Sequence, residues 1–274
     1  MSSAGESWGP TAGVSVAVQR GGWAALRMAR EPVNAMDLPF WSALLDALHW
    51  MEGHGQVRGV LIASGLKRPI FTAGNDVAQE LYAPNTSAER YQSFWEVSNT
   101  FLARLYTSPL LTVAAIRGAC PAGGCAIAMC CDYRVMTEGG HIGLNEVAIG
   151  LPVPIFWTEL FLRIVGYSAG ERLLKAGALL KPAQAKAAGL LDEVVPEAEL
   201  LPTAEAALVA GLALPDAGRR ATKATIRADL AARWEAGAPA EARSGWAAVS
   251  DPTTVKLVAD MLAKLSRPKK AAKL

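Results

Sequence analysis

The sequence predicts one α/β domain that ends in a helix-rich region. Three observations carry this. Apolar strand-like runs alternate with helical segments as far as Phe156, the pattern beyond is mainly helical, and no Ser/Gly/Pro linker or solenoid period divides the 274 residues. That length suits one large α/β domain, and 51% hydrophobic against 19% charged residues supplies a sizeable core.

The elements follow in order. "VSVAVQRGGWAALRM" predicts two strands joined by a Gly-Gly turn, and "LPFWSALLDALHWMEGHG" an amphipathic helix closed by glycines. "VRGVLIAS" is a short buried strand, followed by the loop "GLKRPIFTAGND", which opens into "DVAQEL". Residues 87–107 predict a long helix ending before Pro109, "LLTVAAIRG" another buried strand, and "YRVMTE" a further one. "FWTELFLRIVG", "SAGERLLKAG" and "LLPTAEAALVAGLAL" then read as helices. The expected organisation is a core over residues 1–200, a C-terminal helical region over 201–265 and a basic tail over 266–274.

Charge excludes some functions. The net charge is only +2, and Lys264, Arg267, Lys269, Lys270 and Lys273 crowd the last eleven residues, leaving 22 basic against 25 acidic groups elsewhere. That body has no basic footprint for nucleic acid. The apolar stretch from Leu110 to Cys131 is broken by Arg117, Pro121 and glycines, so no membrane span is expected. The N-terminus lacks a charged region followed by an apolar one, so no secretory signal is read and a reducing compartment is expected.

The chemistry concentrates in "GACPAGGCAIAMCCD", residues 118–132. Cys120, Cys125, Cys130 and Cys131 lack paired C-x2-C knuckles, and His49, His54 and His141 lack metal-ligand spacing, so no metal is expected and the cysteines read as small buried hydrophobes. The phosphate-loop, dinucleotide and G-x-S-x-G motifs are absent. What remains is Gly123-Gly124 between a strand and a small-residue helix, where backbone N–H groups can stabilise an anion. "FTAGND" has the same strand–turn–helix design around Gly74. Two such loops, each aiming one N–H at a single oxygen, would make an oxyanion hole.

"FTAGND", "GACPAGGC" and "IGLNEVAIGLP", in that order, resemble the crotonase (enoyl-CoA hydratase/isomerase) superfamily, most of all its mitochondrial-type 3,2-trans-enoyl-CoA isomerases. The likeness runs from "REPVNAMDLPFW" through "AGLLDEVVPEAEL" into the last helices. It implies a spiral of repeated ββα units with C-terminal helices that build a homotrimer. It also implies an acyl-CoA substrate and no cofactor, coenzyme A being part of the substrate. Carried over by position, the amides of Asn75 and Gly123 would form the oxyanion hole. Thr72, Ala73, Gly74 and Asp76 would line the acyl-CoA channel, with the Ala73 backbone against adenine. Ala122 and Asn145 would lie at the reacting end, and Arg30 and Lys67 would be candidates for the coenzyme A phosphates.

Hydratases of this family use two glutamates; here the first position holds Ala126 and the second Glu146. Hydration needs proton management at two atoms, whereas moving a double bond from C3 to C2 needs one base. The resemblance therefore implies an isomerase of fatty-acid β-oxidation with Glu146 as base, in a pocket to which the apolar neighbours Leu144, Val147 and Ile149 contribute. The alternatives are a hydratase or dienoyl-CoA isomerase, and a non-catalytic acyl-CoA-binding protein. Asp132 reads as structural, Asp76 as a helix cap, and Glu159 as the partner of Arg163 four residues on, with an auxiliary base at Glu159 left open. The chain ends Ala272-Lys273-Leu274, a variant of the S-K-L address that a peroxisomal import receptor reads. Peroxisome is the expected location, with mitochondrion as the alternative.

Overall fold

In the computed structural model, which describes residues 5–266, the chain opens with three antiparallel strands, β1 (Ser7–Thr11), β2 (Val14–Gln19) and β3 (Trp23–Met28). The β2–β3 hairpin turns at Gly21 and Gly22, both at positive φ, as the Gly-Gly pair predicts. β1 adds a strand that the sequence reading lacks; "SWGPT" is mostly exposed and carries no alternation to mark it.

From β3 onward the pairing is parallel and strictly sequential: β4 (Gly59–Ser64), β5 (Leu111–Pro121), β6 (Tyr133–Gly143) and β7 (Glu193–Val195). Parallel neighbours require crossovers. Between the parallel strands lie α1 (Leu38–Gly53), α2 (Ala88–Thr107) and α3 (Gly123–Cys130), then α4 (Ile155–Val165), α5 (Tyr167–Lys175) and α6 (Pro182–Ala187). A second row of pairing runs beside the sheet. Backbone bridges join Met36 to Asn75, Ile70 to Ala119 and Ile142 to Leu180, and β5 and β6 pair again from Gly118–Gly140 to Pro121–Gly143 after an irregularity. Each turn of chain thus gives one stretch to the sheet, one to the second row, and then a helix. That is the spiral the resemblance implies.

The bend between the two rows depends on glycine. A Cβ on Gly118 would lie 1.6 Å from the Pro69 carbonyl oxygen, and one on Gly140 would lie 2.2 Å from that of Gly118.

Both faces of the sheet are covered, so β4 and β5 read as near-continuous apolar runs. On one face α1 buries Phe40, Trp41 and Leu44, α2 buries Phe94 and Phe101, and α3 is buried throughout. Each such large side chain is worth roughly 1.5–3 kcal/mol. The other face is sealed by α7 (Leu200–Leu212), whose Leu200, Ala204 and Leu208 meet Leu61, Val113 and Val135. Residues 201–212, placed by sequence in the C-terminal region, therefore pack as part of the core.

α8 (Asp216–Val249) then runs along α2, and α9 (Pro252–Ser266) follows. Polar ties fix α8: Trp234 Nε1 donates to Asn99 Oδ1 at 2.6 Å, and Lys223 and Arg227 reach the Asp132 carboxylate at 2.8 and 2.9 Å. Asp132 is structural, as expected. Ala272, Lys273 and Leu274 lie outside the described residues. Among the described residues no single helix is long and apolar enough to cross a membrane.

Candidate active site

The loop after β4 is shaped by one residue that the sequence reading passes over. Asn34 is fully buried at φ +51°, and its Nδ2 donates to the carbonyls of Met28 and Phe71 (3.0 and 2.9 Å) and to Ser64 Oγ (3.1 Å). Its Oδ1 accepts from the Arg30 amide at 2.7 Å, and its carbonyl accepts from Thr72 Oγ1 at 2.6 Å. Thr72 Oγ1 in turn accepts from the Gly74 amide at 3.0 Å, so the buried Thr72 braces the loop from behind. Around Asn75 the backbone is engaged: Ala73 N donates to Val33 O, Asp76 N to Met36 O, and Gly74 O accepts from Met36 N. The Asn75 amide itself has no acceptor among the described residues. The Asn75 side chain is held by Trp41 Nε1, which donates to Oδ1 at 3.1 Å.

The second loop begins where β5 ends. Ala122 sits at φ +50°, ψ −120°, a conformation strained for any residue with a Cβ. It turns the chain so that Gly123 is the first residue of α3, and the Gly123 amide likewise has no acceptor among the described residues. Glycine is required here by contact rather than by φ. A Cβ on Gly123 would lie 2.7 Å from Met36 Cε and 3.0 Å from Asn75 Oδ1, and one on Gly124 would lie 2.4 Å from Thr72 Cγ2. The two loops therefore touch. Their two unengaged amides, one of them at the positive end of α3, can stabilise a negative oxygen.

Beside them opens a cavity of about 460 Å³, lined at this end by Ala73, Asn75, Ala122, Asn145 and Glu146. Glu146 starts a short helix, Glu146–Ile149. Both its carboxyl oxygens are buried without a hydrogen-bond partner, and burial pushes its pKa up to about 7. Ile149, Leu151 and Trp157 form apolar wall nearby, whereas Val147, expected in the pocket, is 37% exposed and lies against Gly177. Ala126 is fully buried in α3 and brings no carboxyl.

The other sequence candidates take different places. Asp76 caps the helical turn Val77–Leu81, accepting from Gln79 N at 3.0 Å, and is not part of the cavity wall. Arg30 is bound through both terminal nitrogens by Asp37, the cap of α1, and Lys67 is exposed; neither lines the cavity. Glu159 is held by Arg163 at 2.8 Å and by Arg233 at 2.5 Å. Chiefly through Arg233 its carboxyl is drawn down to about 2, and it does not line the cavity. The four cysteines are buried and free, and burial raises their thiols well above the usual range, which fits packing and not nucleophilic work. Sequence reasoning also missed Tyr91, Trp95 and Glu241, which line the cavity from α2 and α8.

Residues 19–246 match the enoyl-CoA hydratase/isomerase family. The human mitochondrial enoyl-CoA delta isomerase 1 is 37% identical over 227 residues, which span 82% of this chain and 71% of that protein. The fatty acid oxidation complex subunit alpha of Vibrio campbellii is 31% identical over 67% of this chain but only 26% of that protein. The crystal structure of human mitochondrial delta3-delta2-enoyl-CoA isomerase superposes with a TM-score of 0.88 at 34% identity, covering 92% of this chain and 98% of that one. An enoyl-CoA hydratase from Bacillus halodurans superposes at 0.83 with 21% identity and shares the fold.

Proposed function

The chain belongs to the enoyl-CoA hydratase/isomerase family, and from that premise we propose that it shifts the double bond of a 3-enoyl-CoA to trans-2-enoyl-CoA, with Glu146 as its base. One observation carries the reading. Among the described residues Glu146 is the one carboxyl on the cavity wall with both oxygens unpartnered, and a pKa pushed up to about 7 suits a group that must take a proton and return it.

In this mechanism the thioester oxygen lies between the amides of Asn75 and Gly123. Glu146 removes a C2 proton, and the electron pair moves through the carbonyl to give a dienolate whose charge rests on that oxygen. The protonated Glu146 then delivers the same proton to C4, which leaves the double bond between C2 and C3. Each amide donor is worth about 2.7–4 kcal/mol of transition-state stabilisation in comparable sites. The apolar wall of Ile149, Leu151 and Trp157 keeps bulk water from the dienolate. Ala126 brings no carboxyl from α3 to position a hydrating water.

The substrate supplies its own coenzyme A, and the assembly is a homotrimer built through the C-terminal helices. The exposed Ile226 on α8 and Leu257 on α9 offer apolar surface for such contacts. Two destinations have separate support. Human, mouse and rat relatives are named mitochondrial, whereas Ala272-Lys273-Leu274 is a variant of the peroxisomal S-K-L address. Imaging the tagged protein with and without those three residues decides between them.

The decisive assay is isomerisation of 3-hexenoyl-CoA, with crotonyl-CoA hydration as counter-assay and Glu146→Gln as control. Isomerisation that Glu146→Gln abolishes supports the proposal. Efficient hydration by the parent, or isomerisation that survives Glu146→Gln, refutes it.

A further inference from the structure

Glu241 and Tyr91 line the cavity, and the proposed isomerisation uses neither. Glu241 is already engaged. Its Oε1 accepts from Ile155 N, the first amide of α4, at 2.5 Å, and its Oε2 from Trp95 Nε1 at 3.2 Å, so it ties α2, α4 and α8 together. Tyr91 is not engaged. It is 3% exposed, yet its hydroxyl has no hydrogen-bond partner among the described residues, whereas a buried tyrosine usually finds one.

The packing fixes where that hydroxyl stands. The phenol ring stacks on Trp95 with centroids 5.9 Å apart and planes 6° from parallel, and Trp246 meets it at 5.8 Å. Trp95 is itself pinned by Glu241. At the other end of the ring, a Cβ on Gly245 would lie 2.4 Å from Tyr91 Oη, so the hydroxyl is seated against α8 at a place that only glycine leaves open. Gly245 and its neighbour Ser244 line the cavity too. The Tyr91 oxygen is not closed off, and in a residue so buried its open side is the cavity. Burial pushes its pKa up, so the group stays a neutral O–H that can donate and accept.

A hydrocarbon chain laid over this wall takes water from that O–H and returns no bond. An oxygen on the chain would restore it. We propose that Tyr91 is a specificity determinant that hydrogen-bonds an oxygen carried by the acyl chain, so that the cavity favours hydroxylated acyl thioesters over plain ones of equal length. The proposal rests on the reading that this cavity takes the acyl part of a coenzyme A thioester, and it narrows which thioesters those are.

The test is calorimetric titration with saturated acyl-CoAs from hexanoyl to dodecanoyl, each plain and with a terminal hydroxyl, in the parent and in Tyr91→Phe. Lengthening the chain carries the oxygen along the cavity, so the series searches for the position that meets Tyr91. The quantity read at each length is the ratio of the plain to the hydroxylated Kd. At the matching length we expect that ratio to fall about tenfold or more in Tyr91→Phe, with the hydroxylated ligand bound more weakly and the plain one more tightly. Damage to packing would weaken both ligands together. A ratio that Tyr91→Phe leaves unchanged at every length therefore overturns the proposal. Binding needs no turnover, so the two readings can fail separately. A parent that shows the reversal but does not isomerise 3-hexenoyl-CoA refutes the isomerase and supports the role of Tyr91. A parent that binds neither series overturns both.

Discussion

Glu146→Gln should make the protein more stable as well as inactive, and the gain should depend on pH. Burial raises the folded-state pKa of Glu146 from 4.5 to about 7, so the folded chain holds a proton that the unfolded chain releases. The contribution of that group to stability is complete below pH 4.5 and is lost as pH rises through about 7. Above that, the parent folds around an ionised carboxyl that no donor satisfies. At 1.36 kcal/mol for each tenfold step, the cost reaches roughly 3 kcal/mol. Glutamine has nearly the same shape and no ionisation to suppress. Variant and parent should therefore melt together near pH 4.5 and separate by roughly 5 °C near pH 8, at fixed protein concentration. The same carboxyl must be ionised to take a proton, so kcat/KM of the parent should fall about tenfold per pH unit below about 7. Parallel stability curves, or a variant less stable than the parent near pH 8, would refute a desolvated Glu146.

Other outcomes follow from the supporting contacts. Gly124→Ala puts a Cβ 2.4 Å from Thr72 Cγ2, which two hydrogen bonds hold in place, so the loop bearing Asn75 must move. Turnover should drop about a hundredfold with a smaller change in KM, measured by steady-state kinetics. Asn34→Ala strands the Met28 and Phe71 carbonyls and the Arg30 amide, and should cost roughly 3 kcal/mol or more in urea denaturation. Asp132→Ala leaves Lys223 and Arg227 largely buried without their shared partner, and should cost roughly 3–5 kcal/mol by the same measurement.

The alternation of strands and helices was legible because both faces of the sheet are covered, so β4 and β5 are bare apolar runs between amphipathic helices. Strand β1 was not: it is an edge strand of five residues, exposed along nearly its whole length, so no apolar alternation marks it. The two glycine loops were legible because close backbone approach leaves glycine as its trace, at Gly74, Gly123 and Gly124. Asn34 and Glu241 left no trace. An asparagine after a valine reads as an ordinary turn, and a glutamate in "APAEARS" on a long, mostly polar helix reads as solvated. Their roles exist only through partners distant in sequence: Phe71 lies 37 residues from Asn34, and Trp95 lies 146 from Glu241. Glu159 was legible in part: its helical spacing to Arg163 gave the ion pair that forms, but its second arginine, Arg233, comes from α8.

The site gathers features that each work against folding: a strained Ala122, two amides without acceptors, and a carboxyl without donors. Such groups persist only where the surroundings leave them no alternative. Here the constraint comes from residues that never meet the reacting atoms. Asn34 ties the end of β3 to the Phe71–Asn75 loop, Thr72 locks Gly74, Trp41 holds the Asn75 side chain, and the Ala122 amide is fixed to Gly143 O at 2.9 Å. Every one of these bonds leaves the Asn75 and Gly123 amides untouched while removing the freedom of the peptides on either side. In the proposed mechanism the donors would thus be aimed before any substrate arrives, and no reorganisation would be needed when charge develops on the oxygen. The same logic explains why Ala122 tolerates positive φ. Relaxing it would swing the Gly123 amide out of the start of α3, and the close packing of Gly123 on Met36 and of Gly124 on Thr72 blocks that rotation.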